Sequence, residues 1–166
     1  MPSLVAYYWP VACRPFIRRG SLSNTYGPVR RNADGSVRNH QGWDPAAPVG
    51  TSILAVADGT VYAVRDEDAG DYGRTLTLCL DTPANDGVRY AFYAHLSRID
   101  AKVGQVVRAG EVLGASGDSG NARGMALADQ HLHFEARTVP SPGRGLDGRV
   151  SPGRAFGWKA PLTPGI

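Results

Sequence analysis

His131-Leu132-His133-Phe134-Glu135 alternates polar and apolar residues. In an extended strand, residues two apart point to the same face. The pattern predicts a strand from His131 to Arg137. It sends His131, His133 and Glu135 to one side and Leu132 and Phe134 into a core. Two imidazoles on one rigid strand suit a metal site, because one ring can bind the ion while the other stays free beside whatever the ion activates. Taken alone, His-x-His does not separate such a site from a core strand with two structural histidines.

The same alternation recurs upstream. Arg74 to Asp81 places Leu76, Leu78 and Leu80 on one side and Thr75, Thr77 and Cys79 on the other. After a turn at Pro83–Gly87, Val88 to His95 reads as the return strand. There Arg89, Ala91, Tyr93 and His95 share a face opposite Tyr90, Phe92 and Ala94. Ile53 to Ala57 and Thr60 to Arg65 read as strands around Asp58-Gly59. Gln105 to Val107 and Glu111 to Ala115 do so around Ala109-Gly110. Ser116 to Gly124 is a Gly-rich loop, and Met125 to Gln130 a helical turn. Residues 1–39 read as irregular, with a short strand over Arg14 to Gly20 and turn-rich loops at 23–28 and 32–36. The tail from Pro140, rich in Pro, Gly and Arg, reads as an extended wrap. The 21 glycines and 12 prolines suit many short strands joined by turns. A chain of 166 residues is long enough for one domain with its own core. The expected architecture is mostly β and antiparallel, with few or no long helices. A core over 23–137 is flanked by an N-terminal extension (1–22) and the C-terminal wrap (138–166).

The net charge is +3, with basic residues scattered and no run beyond Arg18-Arg19 and Arg30-Arg31. That argues against a dedicated nucleic-acid surface. No apolar run is long enough to span a membrane. Cys13 and Cys79 fix no disulfide framework; a bridge and two free thiols are both compatible with the sequence. Neither lies in a Cys-x-x-Cys pair, which argues against a cysteine zinc site. Leu4 to Cys13 is apolar, but Pro10 interrupts it and no basic segment precedes it, so it reads poorly as a secretory signal.

A second chemical stretch is His40-Gln41-Gly42-Trp43-Asp44. Gly42 and Pro45 oppose a helix, so a strand end or loop is expected, where residues four apart still share a face. An imidazole and a carboxylate are both good zinc ligands, at about 2 Å.

All four histidines now fall into ordered blocks: His40 to Asp44, Tyr93-Ala94-His95-Leu96-Ser97, and His131 to Glu135. These blocks resemble the signatures of the lysostaphin/LytM-type zinc metallopeptidases, which cut peptide bonds in bacterial peptidoglycan. The stretches between them resemble the family too, including 53–61, Tyr72-Gly73, 103–110 and 114–121, so the likeness covers about residues 23 to 137. It implies an antiparallel β-domain with a long groove and one Zn2+. It also implies His40, Asp44 and His133 as metal ligands, with water in the fourth position. His131 and His95 become the unliganded catalytic histidines, with His131 assigned as general base, His95 as stabiliser, and the reverse left open. Tyr26 is carried over as a groove tyrosine supporting the oxyanion. Tyr72 and Tyr93 are either groove walls or packing, and Asn39 precedes the first ligand as in the family. Glu135 either orients a ligand or makes a surface salt bridge.

The insertion Met125 to Gln130 departs from shorter relatives and should sit beside the groove. The resemblance implies action in the periplasm or on the cell wall, on peptidoglycan stem peptides. The poor export signal points to a dedicated secretion system or phage release, as for a secreted antibacterial effector or a phage-type lysin. Also expected are a monomer with an unmasked site, and a secretion-machinery or immunity protein as a further partner. Two other readings compete: a non-catalytic LytM-type module that activates another wall hydrolase, and a zinc domain serving stability alone.

Overall fold

Alternation along the chain is realised as antiparallel pairing in a computed structural model that describes residues 6–164. Strands β1 (Gly27–Arg31) and β2 (Val37–His40) form a hairpin. Its turn is held by the Asp34 carboxylate, which accepts from the Ser36 amide at 2.9 Å and its hydroxyl at 2.6 Å. The remaining strands are β3 (Ser52–Leu54), β4 (Gly59–Arg65), β5 (Arg74–Leu80), β6 (Tyr90–Ile99), β7 (Val106–Val107), β8 (Val112–Ser116), β9 (His133–Arg137) and β10 (Arg149–Val150). They form one sheet, in the order β10-β9-β6-β5-β4-β7, with β8 on the far part of β6 and β3 on β8. The ten-residue β6 is central: β5 and β9 flank its first half before it passes to β8. The one α-helix among the described residues is the short α1 (Pro152–Phe156). No described helix is long and apolar enough to cross a membrane.

Leu76, Leu78 and Leu80 are fully buried, as their spacing predicts, against Leu132, Phe134 and Tyr93 in one core. Tyr93 therefore serves packing. Its hydroxyl donates to the Leu54 carbonyl and accepts from the Val56 amide, both at 3.0 Å, so burial leaves no polar atom unpaired.

Four expectations are corrected. Residues 1–39 are not wholly irregular, because β1 and most of β2 lie within them. Arg14 to Gly20 is not a strand: only Ile17 bridges Pro45, and Arg18–Gly20 is a 3-10 turn in which Arg19 and Gly20 have positive φ. The strand expected over Ile53 to Ala57 stops at Leu54, and the strands on either side of Asp58-Gly59 and of Ala109-Gly110 do not pair with each other. Instead β3 pairs with β8 and β4 with β5 and β7, and the Asp58 carboxylate ties the two turns together by accepting from the Ala109 amide at 2.8 Å. A turn signal marks where the chain reverses, not which strand it meets. The tail is not merely a wrap: β10 extends the sheet, and α1 buries Ala155 and Phe156, with Phe156 and Trp158 packed on Phe134. Residues 1–5 of the expected extension and 165–166 of the tail lie outside the described residues. Cys13 and Cys79 are both free thiols.

Candidate metal centre

β9 presents His133 and Glu135 opposite Ala94 and Phe92 of β6, while Leu132 and Phe134 enter the core. The loop after β2 is laid against this strand by a reciprocal pair of bonds between Trp43 and Phe134, each 2.9 Å. Gly42 allows the approach, because a Cβ there would run into the backbone carbonyl of Phe134. Gly42→Ala is expected to cost about 1–3 kcal/mol through overpacking. It should also displace the His40–Asp44 loop, measurable as a lower melting temperature together with reduced metal affinity.

His40, Asp44 and His133 converge, with all three buried and their ligand atoms within 4.8 Å of one another. Asp44 Oδ1 lies 3.1 Å from both His40 Nε2 and His133 Nδ1. Each group is fixed from behind. His40 Nδ1 donates to the Thr25 carbonyl at 2.8 Å, His133 Nε2 meets Glu135 Oε1 at 2.8 Å, and Arg30 donates to Asp44 Oδ2 at 2.8 Å. One atom of each is left for a common cation. His40 Nε2 is buried without a hydrogen-bond partner. Such orphans are rare unless something else satisfies them, and two nitrogens with one carboxylate oxygen fit a divalent metal.

The electrostatics agree. Burial alone would lower the His133 pKa, but Asp44 and Glu135 outweigh it and raise it to about 9. Burial opposes ionisation of Asp44, yet the hydrogen bond from His133, with the His40 ring alongside, outweighs it and holds its carboxyl well below the usual range. Two buried carboxylates around His133 make a pocket that calls for positive charge.

His131 and His95 stand beside this cluster, their rings 5.1 Å apart. His131 Nδ1 donates to the Asp129 carbonyl at 2.8 Å and His95 Nδ1 to the Ser119 carbonyl at 2.9 Å. These bonds assign the tautomers and leave Nε2 as the acceptor on each ring. His131 Nε2 is 3.9 Å from Asp44 Oδ1. Burial lowers both pKa values. For His95 the neighbouring His133 and His131 add to burial and bring it to about 3.

His95 corrects the simple alternation, which puts it with Tyr93. Between Leu76↔Tyr93 and Arg74↔Leu96 the register slips by one residue, and His95 has φ 61°. This bulge turns its ring away from the Tyr93 face into the groove with the other histidines. A left-handed non-glycine residue costs about 1–2 kcal/mol, a strain that bulges beside functional sites commonly carry.

The tyrosines also sort themselves. Tyr26 is not among the groove-lining residues; its hydroxyl donates to the Arg149 carbonyl at 3.1 Å. Tyr72 does line the groove, stacked on His133 at 5.5 Å. Its hydroxyl donates to Glu135 at 2.8 Å and accepts from Gln41, and burial, with Glu135 assisting, pushes its pKa to about 12. Asn39 and Met125 line the same groove, of about 830 Å³, so the 125–130 insertion does border it. Glu135 makes no surface salt bridge. It is fully buried, with the Nε of Arg137 at 2.6 Å and of Arg149 at 2.8 Å. Sequence reasoning missed Arg30, Gln41, Arg137 and Arg149. Only Arg137 carried a signal, its two-residue spacing from Glu135.

The family model for peptidase family M23 matches residues 38–147. Glycyl-glycine endopeptidase ALE-1 of Staphylococcus capitis is 33% identical over an alignment of 138 residues that covers 75% of this chain and 35% of that protein. Peptidoglycan DD-endopeptidase ShyB of Vibrio cholerae is 32% identical over 116 residues, 69% of this chain and 24% of that protein. The chain thus spans about a quarter to a third of these relatives. A crystal structure of a zinc-containing peptidase from Vibrio cholerae superposes with a TM-score of 0.66 at 25% identity, covering 95% of this chain and 41% of the other. With the match spanning most of the sequence and all three histidine blocks, the chain belongs to peptidase family M23.

Proposed function

We propose that this chain is a zinc endopeptidase that hydrolyses peptide cross-links of bacterial peptidoglycan, acting at the cell wall. The observation that carries the proposal is the buried, unpartnered His40 Nε2, aimed with Asp44 and His133 at one point beside two neutral histidines. His40, Asp44 and His133 would hold the zinc. When bound, the ion supplies a Lewis acid and lowers the pKa of water towards neutrality. His131, nearer to Asp44, accepts the proton of the attacking water at Nε2 and passes it to the leaving amine. His95 is a second acceptor in the resting site, and holds developing negative charge only once it is itself protonated. The Tyr72 hydroxyl, engaged by Glu135 and Gln41, braces the His133 ring rather than serving as an acid. Peptidoglycan as substrate is supported by the name of the ShyB relative and by the open groove.

The test is digestion of purified sacculi with products resolved by mass. The zinc-loaded chain is expected to split cross-linked dimers into monomers. Chelation should stop the reaction, zinc should restore it, and the circular dichroism spectrum should persist throughout, because the cluster has three protein ligands rather than the four of a closed structural site. Unfolding on chelation would instead indicate a structural zinc. A folded, zinc-loaded chain that leaves every cross-link intact would overturn the enzyme in favour of a non-catalytic module.

A further inference from the structure

Resting on that reading, we propose that Arg38 and Arg144 form a carboxylate-binding subsite at the His40 end of the groove, selecting stem peptides with a free carboxylate near the scissile bond. Both side chains line the same groove as the metal cluster. Arg38 lies two residues before His40 on β2, so it shares the face of that ligand about 7 Å along the strand. Arg144 reaches the same end from the loop between β9 and β10, which is anchored where the Gly145 amide donates to Gln41 Oε1 at 2.9 Å. Both arginines are exposed, and neither has a carboxylate partner among the described residues.

Their neighbours are already committed. Arg30 is spent on Asp44, and Arg18 on Asp44 and Asp129. A shallower depression lined by Arg18, Arg30, Arg31 and Arg38 continues from the groove, so the positive charge extends past the metal site. Asp71 and Asp44 are the acidic groups lining the groove, and Asp44 faces the cation position. An anionic peptide is drawn to this end, whereas a neutral bridge of small residues gains nothing from it. A guanidinium holds a carboxylate with paired N–H donors and stays charged at any working pH.

The experiment titrates the zinc-loaded chain with a single stem peptide bearing free carboxylates, and with the same peptide fully amidated. Cleavage of the matching cross-linked dimers is followed in parallel. The free acid is expected to bind about three- to tenfold tighter, the range of two solvent-facing charge pairs. Arg38→Gln/Arg144→Gln should lower that ratio towards one, while the melting temperature stays within a degree. Equal affinity of the wild type for both peptides overturns the subsite, as does a double variant that weakens both equally. The two readings fail separately: acid preference without cleavage removes the enzyme and keeps the subsite, and cleavage without preference does the reverse.

Discussion

His133→Ala is expected to lose zinc and turnover together, whereas His131→Ala loses turnover and keeps its zinc. The two residues are two apart in the chain, His133 opening β9 and His131 just before it, yet their surroundings differ. His133 Nδ1 sits 3.1 Å from Asp44 Oδ1, and its other nitrogen is anchored on Glu135. Its removal takes one of the three donors from the cluster. His131 stands 3.9 Å from the same oxygen, with its Nδ1 spent on the Asp129 carbonyl. Its removal leaves the three-donor set intact and deletes the proposed proton acceptor. General acid–base groups contribute about 10²–10⁴-fold, and that is the expected fall in kcat/KM for His131→Ala at full zinc occupancy. For His133→Ala the loss should be at least as large. Zinc measured after dialysis separates the pair: full occupancy in both variants would remove His133 from the ligand set, and depletion in both would add His131 to it.

The sequence could be read where chemistry is local. The alternation through His131 to Glu135 gives the core face and the polar face, although the strand expected from His131 begins at His133 and His131 only bridges Ala46. The four-residue spacing of His40 and Asp44 survives because Gly42 keeps the segment off a helix and against β9. What could not be read depends on partners distant in the chain. The face of His95 is set by a bulge that appears only when β6 is paired with β5. Tyr26 and Tyr72 are both candidates for the groove in the sequence; only the fold separates them, setting the Tyr72 ring on His133 and tying the Tyr26 hydroxyl to the Arg149 carbonyl. The tail hides its structural role in a composition of Pro, Gly and Arg; only in the fold do Phe156 and Arg149 meet the core and Glu135.

Glu135→Gln is expected to be the most destabilising conservative change in the site. Glu135 is fully buried and joins four groups: His133, Tyr72, Arg137 and Arg149. Burial opposes its ionisation, but His133, Arg137 and Arg149 outweigh that and hold the carboxyl far below its usual range. The two guanidiniums are themselves buried. Each has carbonyl partners as well, Pro140 for Arg137 and Gly143 and Gly145 for Arg149, and Arg137 also lies 3.6 Å over the Phe92 ring. Those neutral contacts satisfy hydrogen bonds and leave the charge uncompensated. The amide keeps the shape of Glu135, removes its negative charge and leaves two buried positive charges facing each other. Breaking a buried pair costs about 3–5 kcal/mol, or roughly 6–20 °C in Tm for a domain of this size. Metal affinity should fall with it, by about 10–100-fold, because His133 loses the carboxylate that orients its ring. The second effect survives where the first is relieved. In the double variant Glu135→Gln/Arg149→Met one of the stranded charges is gone, so Tm should recover in part while zinc affinity stays low. A Glu135→Gln chain that melts within two degrees of wild type would show that the carbonyl cage alone carries the arginines. A double variant that regains zinc affinity along with Tm would show that Glu135 acts on the metal site through stability and not through His133.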